Sequence, residues 1–172
     1  MILGVMSDTH GNLPLMFCAA DLLSGRFGAE VLVHLGDDWE DAGALAAAGR
    51  TVWAVPGLWC DAYRSWRVPN ARSETVDGVV LAFAHDMRDL ARVRAGAHVL
   101  LTGHTHEAVI RLADGVFHMN PGHLKKSRDR GGDASFGVIE ITRERVTCAV
   151  HELDGTLRMR ESLERGMAPE GR

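Results

Sequence analysis

Cysteine is scarce in this chain. There are three, Cys18, Cys60 and Cys148, far apart and without a CxxC pair. An odd, scattered set argues against a disulfide framework and against a cysteine-built zinc site. A reducing, cytoplasmic setting is the expectation. Long apolar runs are also missing: no stretch approaches the roughly 18 residues that would suggest a membrane span. The opening Met1-Ile2-Leu3-Gly4-Val5-Met6 carries no basic segment and meets Asp8 and His10 almost at once, unlike a signal peptide. Nor is there a surplus of positive charge. Lys and Arg number 19 against 23 Asp and Glu, a net charge of −4, which argues against a general nucleic-acid binder.

What remains is an ordinary globular composition. At 172 residues and 46% apolar, the chain has the size of one domain. It can bury roughly 70% of its unfolded surface without staples. The first half alternates apolar and helical segments. Ile2 to Met6, Val31 to Leu35 and Thr51 to Val55 read as strands. Between them, Asn12 can cap a helix with Pro14 in its first turn, and Asp41 to Ala48 reads as a short helix. This β-α-β-α-β order predicts a parallel sheet. The second half changes character. Asp77-Gly78 and Asp114-Gly115 each sit between strand-like runs, a hairpin signal. A third hairpin turns near Arg143-Glu144, a helix is expected over Met87 to Arg94, and Val99 to Thr102 reads as a strand. The expectation is an α/β domain over residues 1–153 with two sheets packed face to face and helices outside. A short helix and frayed tail should follow over 154–172.

Five segments carry the chemistry, each just after a strand: Ser7-Asp8-Thr9-His10-Gly11, Gly36-Asp37, Gly57 to Asp61, His85-Asp86, and Gly103-His104-Thr105-His106. Ligands in α/β sheets bind outside the carboxyl ends of strands. In an extended segment, residues two apart point the same way, so Asp8 and His10 can share one ion, as can His104 and His106. Mixed imidazole and carboxylate donors suit Mn, Fe, Co, Ni or Zn. Six such groups exceed the needs of one tetrahedral ion and fit a pair sharing a carboxylate, for which Asp37 is the choice.

The series Asp8-Thr9-His10, Gly36-Asp37, the Gly57 segment, His85 and Gly103-His104-Thr105-His106 resembles the calcineurin-like metallophosphoesterase signature: D-x-H, G-D, G-N-[HC]-[DE], H and G-H-x-H. Asn120-Pro121-Gly122 resembles the N-P-G of its small bacterial and archaeal members. The resemblance covers roughly Met1 to Val150. It implies a four-layer α-β-β-α sandwich of two mixed sheets flanked by helices. It implies one metal on Asp8, His10, Asp37 and His106, and a second on Asp37, His85, His104 and an asparagine. The implied activity is dimetal hydrolysis of a small phosphate ester, a phosphodiester in preference to a monoester, with Mn the expected metal and Asp37 and His104 the catalytic residues. Small relatives often pair, so a homodimer or tetramer is a possible assembly.

The chain departs from the pattern at one point: Leu58 stands where the asparagine is expected, and leucine offers no lone pair. Asp61 or Asp38 could substitute, water could fill the gap, or the second site could be lost. A retromer scaffold subunit shares this fold and works mainly by binding, so a scaffold is the rival function. His123 or Asp86 is a candidate to assist the leaving group. Lys125, Arg128 and Arg130 lie in a basic loop that could attract a phosphate. His34 could orient a ligand from behind, whereas His98, His118 and His151 read as structural. Trp53, Trp59, Tyr63 and Trp66 crowd the third segment, as pocket wall, core or contact surface.

Overall fold

The computed structural model describes residues 1–165. The first half runs β1 (Ile2–Met6), α1 (Leu13–Gly25), β2 (Val31–His34), α2 (Trp39–Ala47), β3 (Val52–Ala54) and α3 (Asp61–Arg64). The second half runs β4 (Ala71–Val76), β5 (Val79–Ala84), α4 (Met87–Leu90), β6 (Val99–Leu101), β7 (Val109–Ala113), β8 (Val116–Asn120), β9 (Arg128–Asp129), β10 (Gly132–Asp133), β11 (Ser135–Ile141), β12 (Arg145–Glu152) and β13 (Leu157–Glu164).

Two mixed sheets result. One has the order β13-β12-β11-β1-β2-β3 and the other β4-β5-β6-β8-β7. In the first sheet β1, β2 and β3 are parallel, and β11, β12 and β13 join antiparallel. In the second, β5, β6 and β8 are parallel between antiparallel outer strands. Leu3, Val5 and Val33 of the first sheet meet Leu81, Phe83 and Leu101 of the second in the central core. The other face of the first sheet buries Met6, Leu32 and Phe136 against Met16, Ala20 and Leu23 of α1 and Leu45 of α2. Asn12 starts α1 by accepting from the Leu15 amide at 3.3 Å, with Pro14 in the first turn, and so meets the sequence reading.

The expected sandwich is present, but its fourth layer is thin. The helix expected over Met87 to Arg94 is the single turn α4, whose Leu90 packs on Ala82 and Ala84. The expected C-terminal helix is overturned: Leu157–Glu164 is strand β13, paired antiparallel with β12. Its residues are mostly good helix formers, but tertiary pairing overrides propensity. Met159 and Leu163 lie two steps of the pleat apart, opposite Val150 and Val146, and pack on the central core. The expected frayed tail falls largely on residues 166–172, outside the described residues. The basic stretch read as a loop contains the ribbon β9–β10. No helix among the described residues is long and apolar enough to cross a membrane.

Candidate metal centre

The loops that follow β1, β2, β5 and β6 converge at one end of the sandwich. The chain there is not extended, as the sequence reading assumed. Asp8 (φ 54°), His10 (φ 49°), His104 (φ 69°) and His106 (φ 64°) are all left-handed. Such backbone costs roughly 1–3 kcal/mol per residue and persists only where surrounding contacts over-determine it. Around His10 the contacts are visible. Asp41 of α2 accepts the Thr9 hydroxyl at 2.5 Å and the Gly11 amide at 3.0 Å through one oxygen, Oδ2. A single carboxylate thus grips the residues on both sides of His10. Behind Thr9, the Gly36 amide donates to His34 Nδ1 at 3.3 Å. His34 Nε2 therefore carries the proton toward Thr9 Oγ1, 3.2 Å away, which leaves the Thr9 proton for Asp41. This supports the reading of His34 as an orienting residue.

His34 is fully buried, and burial lowers its pKa from 6.5 to about 4 against the pull of Asp41 and Asp8. The unfolded chain binds that proton more readily, so stability rises with pH across this window. The contribution is fully present above pH 6.5 and is lost as pH falls toward 4, about 3 kcal/mol in all. Urea denaturation of the metal-free protein should therefore show a smaller loss between pH 7.5 and 4.5 in His34→Gln than in the wild type. Equal losses would remove His34 from the account.

The imidazoles are aimed in the same way. His85 Nδ1 lies 2.7 Å from the Leu35 carbonyl. A carbonyl only accepts, so Nδ1 carries hydrogen and Nε2 of the neutral ring presents a lone pair. That lone pair faces Asp37 Oδ1 at 3.0 Å. His106 Nδ1 is held by Asp129 Oδ2 at 2.6 Å, which turns its Nε2 toward His10 Nε2 (3.1 Å) and Asp8 Oδ1 (3.3 Å). His10 Nε2 in turn is 2.6 Å from Asp37 Oδ2. Donor atoms of Asp8, His10, Asp37 and His106 lie within 4.8 Å of one another. Asp37 Oδ2 and His85 Nε2 are buried without a hydrogen-bond partner, although His10 Nε2 lies 2.6 Å from the first and Asp37 Oδ1 3.0 Å from the second. Electron pairs that converge on one region without a donor are what a cation satisfies.

Protons respond to the same field. Burial pulls His85 down, but the Asp37 carboxylate, Asp8 and the Leu35 carbonyl together raise it. Asp8 raises His106, against burial and with help from Asp129. Burial pushes Asp37 up, yet His85, His10 and His106 hold it below its ordinary value. Close backbone packing keeps Asp37 in place: a Cβ on Gly57 would fall 2.4 Å from its Cα.

Of the six expected ligands, four form the first group and the other two are only partly gathered. The ring centroids of His85 and His104 are 5.2 Å apart. His104 is pinned through its backbone amide, which donates to Asp8 Oδ2 at 3.0 Å and Oδ1 at 3.1 Å. Its Nε2 lies 3.9 Å from Asp86 Oδ2. No second group of three metal-binding donors lies within similar reach among the described residues. Leu58 sits half-buried in the turn after Gly57. Asp61 is fully exposed and 3.7 Å from Arg64, so the structure does not bring it to the cluster. Asp38 lies on the other flank, its Oδ2 3.9 Å from where a Cβ on Gly11 would be. Burial, Asp41 and Asp37 raise its pKa.

The remaining candidates scatter. Arg130 reaches the Thr105 carbonyl at 3.2 Å beside the site, whereas Arg128 is bound to Asp133 and Gly131 within its own ribbon. Lys125 holds Asn12 through its backbone carbonyl. His123 is fully buried, under His106 with ring centroids 5.6 Å apart, and so lies too deep to serve a leaving group. Arg88 holds the Asp86 pKa down at about 2, which removes Asp86 as an acid near neutrality. Trp53 stacks on Phe83 in the core, while Trp59 and Trp66 are 79% and 88% exposed. Sequence reasoning missed Asp129 and Asp41. Asp129 lies in a run of basic residues, and Asp41 looked like an ordinary residue of a helix's first turn.

The family described as calcineurin-like phosphoesterase superfamily domain matches residues 1–144. Among solved structures, the phosphoesterase YfcE from E. coli is 23% identical, over 94% of this chain and 98% of its own, at a TM-score of 0.73. Vps29 from Chaetomium thermophilum is 19% identical, over 99% and 98%, with TM-score 0.72. Vps29 from Entamoeba histolytica, solved with Zn, is 22% identical, over 95% and 99%, with TM-score 0.69. No curated protein matches in sequence. With the fold, the convergent donors and the match over most of its length, the chain belongs to the calcineurin-like phosphoesterase superfamily.

Proposed function

We propose that the protein is a divalent-metal-dependent phosphoesterase acting on small phosphodiesters. The observation that supports this most is the pair of buried, unpartnered atoms, Asp37 Oδ2 and His85 Nε2, beside the Asp8, His10, Asp37 and His106 donors. Those four would hold one ion, and Asp37, His85 and His104 a second, with Mn preferred and Fe, Co, Ni or Zn as competitors. Bound ions would supply Lewis acidity, acidifying water and offsetting charge on the phosphoryl oxygens. The chain's own residues do the rest. Asp129 fixes the tautomer and direction of His106. The Leu35 carbonyl does the same for His85. Asp8 holds the His104 loop, so that this half-exposed imidazole stands at the edge where a phosphoryl group would lie. A diester is favoured over a monoester because the dianion would call for free cations from the basic loop, and its Arg128 and Arg130 are already engaged. Neither Trp59 nor Cys60 is an obvious acid for a leaving group, so good leaving groups should react best. Three free cysteines suit work in the cytoplasm.

The second reading is a protein-binding scaffold, favoured by Leu58 and by the Vps29 likeness. Hydrolysis of bis(p-nitrophenyl) phosphate separates the two. Mn-stimulated turnover that chelator abolishes is the expected result. Folded protein that turns over nothing with any of the five metals would replace the enzyme with the scaffold. Leu58→Asn is expected to raise metal content toward two ions per chain by elemental analysis, and to increase turnover. Unchanged content would mean that position 58 does not limit the second ion.

A further inference from the structure

Next to His104 lies a cavity of ≈ 300 Å³ bounded by Asp86, His104 and the hairpin of β7 and β8. That is the small end of ligand pockets, room for one ring or a short chain. Most of its polar lining is already committed. The Asn120 amide donates to the Gly103 carbonyl and Thr105 hydroxyl, and its oxygen accepts from Gly122. Thr102 and His118 are bonded to each other at 2.9 Å, and Asp86 is held by Arg88. Met87 and Val109 give an apolar wall. Two charged groups are left, Arg111 and Glu107, neither with an ion-pair partner among the described residues. Arg111 stands directly across from His118 on the neighbouring strand. Burial, with the Arg111 charge beside it, lowers the His118 pKa, so the guanidinium faces a neutral neighbour.

We propose that this cavity holds a substituent of the phosphate ester, and that Arg111 makes it select a substituent carrying an anionic group such as a carboxylate. The idea rests on the phosphoesterase reading, since only a phosphoryl group near His104 would deliver a substituent here. A guanidinium binds a carboxylate through two parallel hydrogen bonds. Arg111 and Glu107 are both exposed where they border the cavity, so the guanidinium–carboxylate pair is open to screening by salt. Glu107 opposes the same anion.

The test compares phenyl p-nitrophenyl phosphate with 4-carboxyphenyl p-nitrophenyl phosphate, which differ by one carboxylate. The wild type is expected to favour the carboxylated ester in kcat/KM by about threefold, the gain of one exposed charge pair. Arg111→Ala should remove the preference, Arg111→Glu reverse it and Glu107→Gln enlarge it. A preference that survives Arg111→Ala, or none in the wild type, overturns the proposal. If no ester is turned over, calorimetry with phenylphosphonate and 4-carboxyphenylphosphonate on the Mn-supplemented protein reads the pocket alone. Tighter binding of the carboxylated compound, lost in Arg111→Ala, upholds the pocket even though the phosphoesterase reading fails. Equal binding overturns it.

Discussion

Replacing Asp37 with asparagine is expected to cut kcat for bis(p-nitrophenyl) phosphate by about a thousandfold, some 4 kcal/mol of transition-state free energy. Asp37 approaches imidazoles of both halves of the site, with Oδ2 2.6 Å from His10 and Oδ1 3.0 Å from His85. Asparagine keeps the shape but loses the charge, and one of its two terminal atoms becomes a donor. Metal binding should weaken with it. The metal-free protein should also lose resistance to urea near neutral pH, because His85, His10 and His106 hold the Asp37 carboxylate below its ordinary pKa and that contribution, present above the unfolded pKa, goes with the charge. Activity within tenfold of the wild type would show that Asp37 is not shared between two cations.

Asp41→Ala is expected to weaken binding of the tighter Mn ion by about 10- to 100-fold, the usual cost of losing a group that orients a ligand from behind. No direct contact with the ion is involved. Without its carboxylate, the Thr9 hydroxyl and Gly11 amide lose their acceptor, and His10 can leave its left-handed conformation. Asp41→Asn retains one acceptor oxygen and should fall between the two. Amide exchange gives a second readout in metal-free protein: the Gly11 amide should lose protection in Asp41→Ala and keep part of it in Asp41→Asn. If calorimetry finds an unchanged Mn affinity while the melting temperature drops, Asp41 serves only the fold.

The fold was legible wherever a local signal was strong. Apolar runs marked β1, β2 and the core of β5, and Asp-Gly pairs marked two hairpins that formed with the expected turns. It was illegible where pairing partners decided the outcome. Leu157–Glu164 is strand because β12 offers it an edge, not because Arg158, Arg160 or Glu161 prefer one. The ligand residues could be listed because each follows a strand. Their reason for converging could not be read, since an extended chain and a left-handed one look alike in sequence. The grip of Asp41 on His10 spans 31 positions of the chain, and that of Asp129 on His106 spans 23. Such long-range carboxylate contacts leave no periodic trace.

The last described strand closes the first sheet with Arg158, Arg160, Glu161 and Glu164. A sheet margin studded with such ions is hard for another chain to extend, because charged side chains on an outermost strand hinder further strand addition. At the opposite margin β3 is only three residues long, too short a template for growth. Strand-by-strand growth of copies along the first sheet is therefore disfavoured at both of its limits.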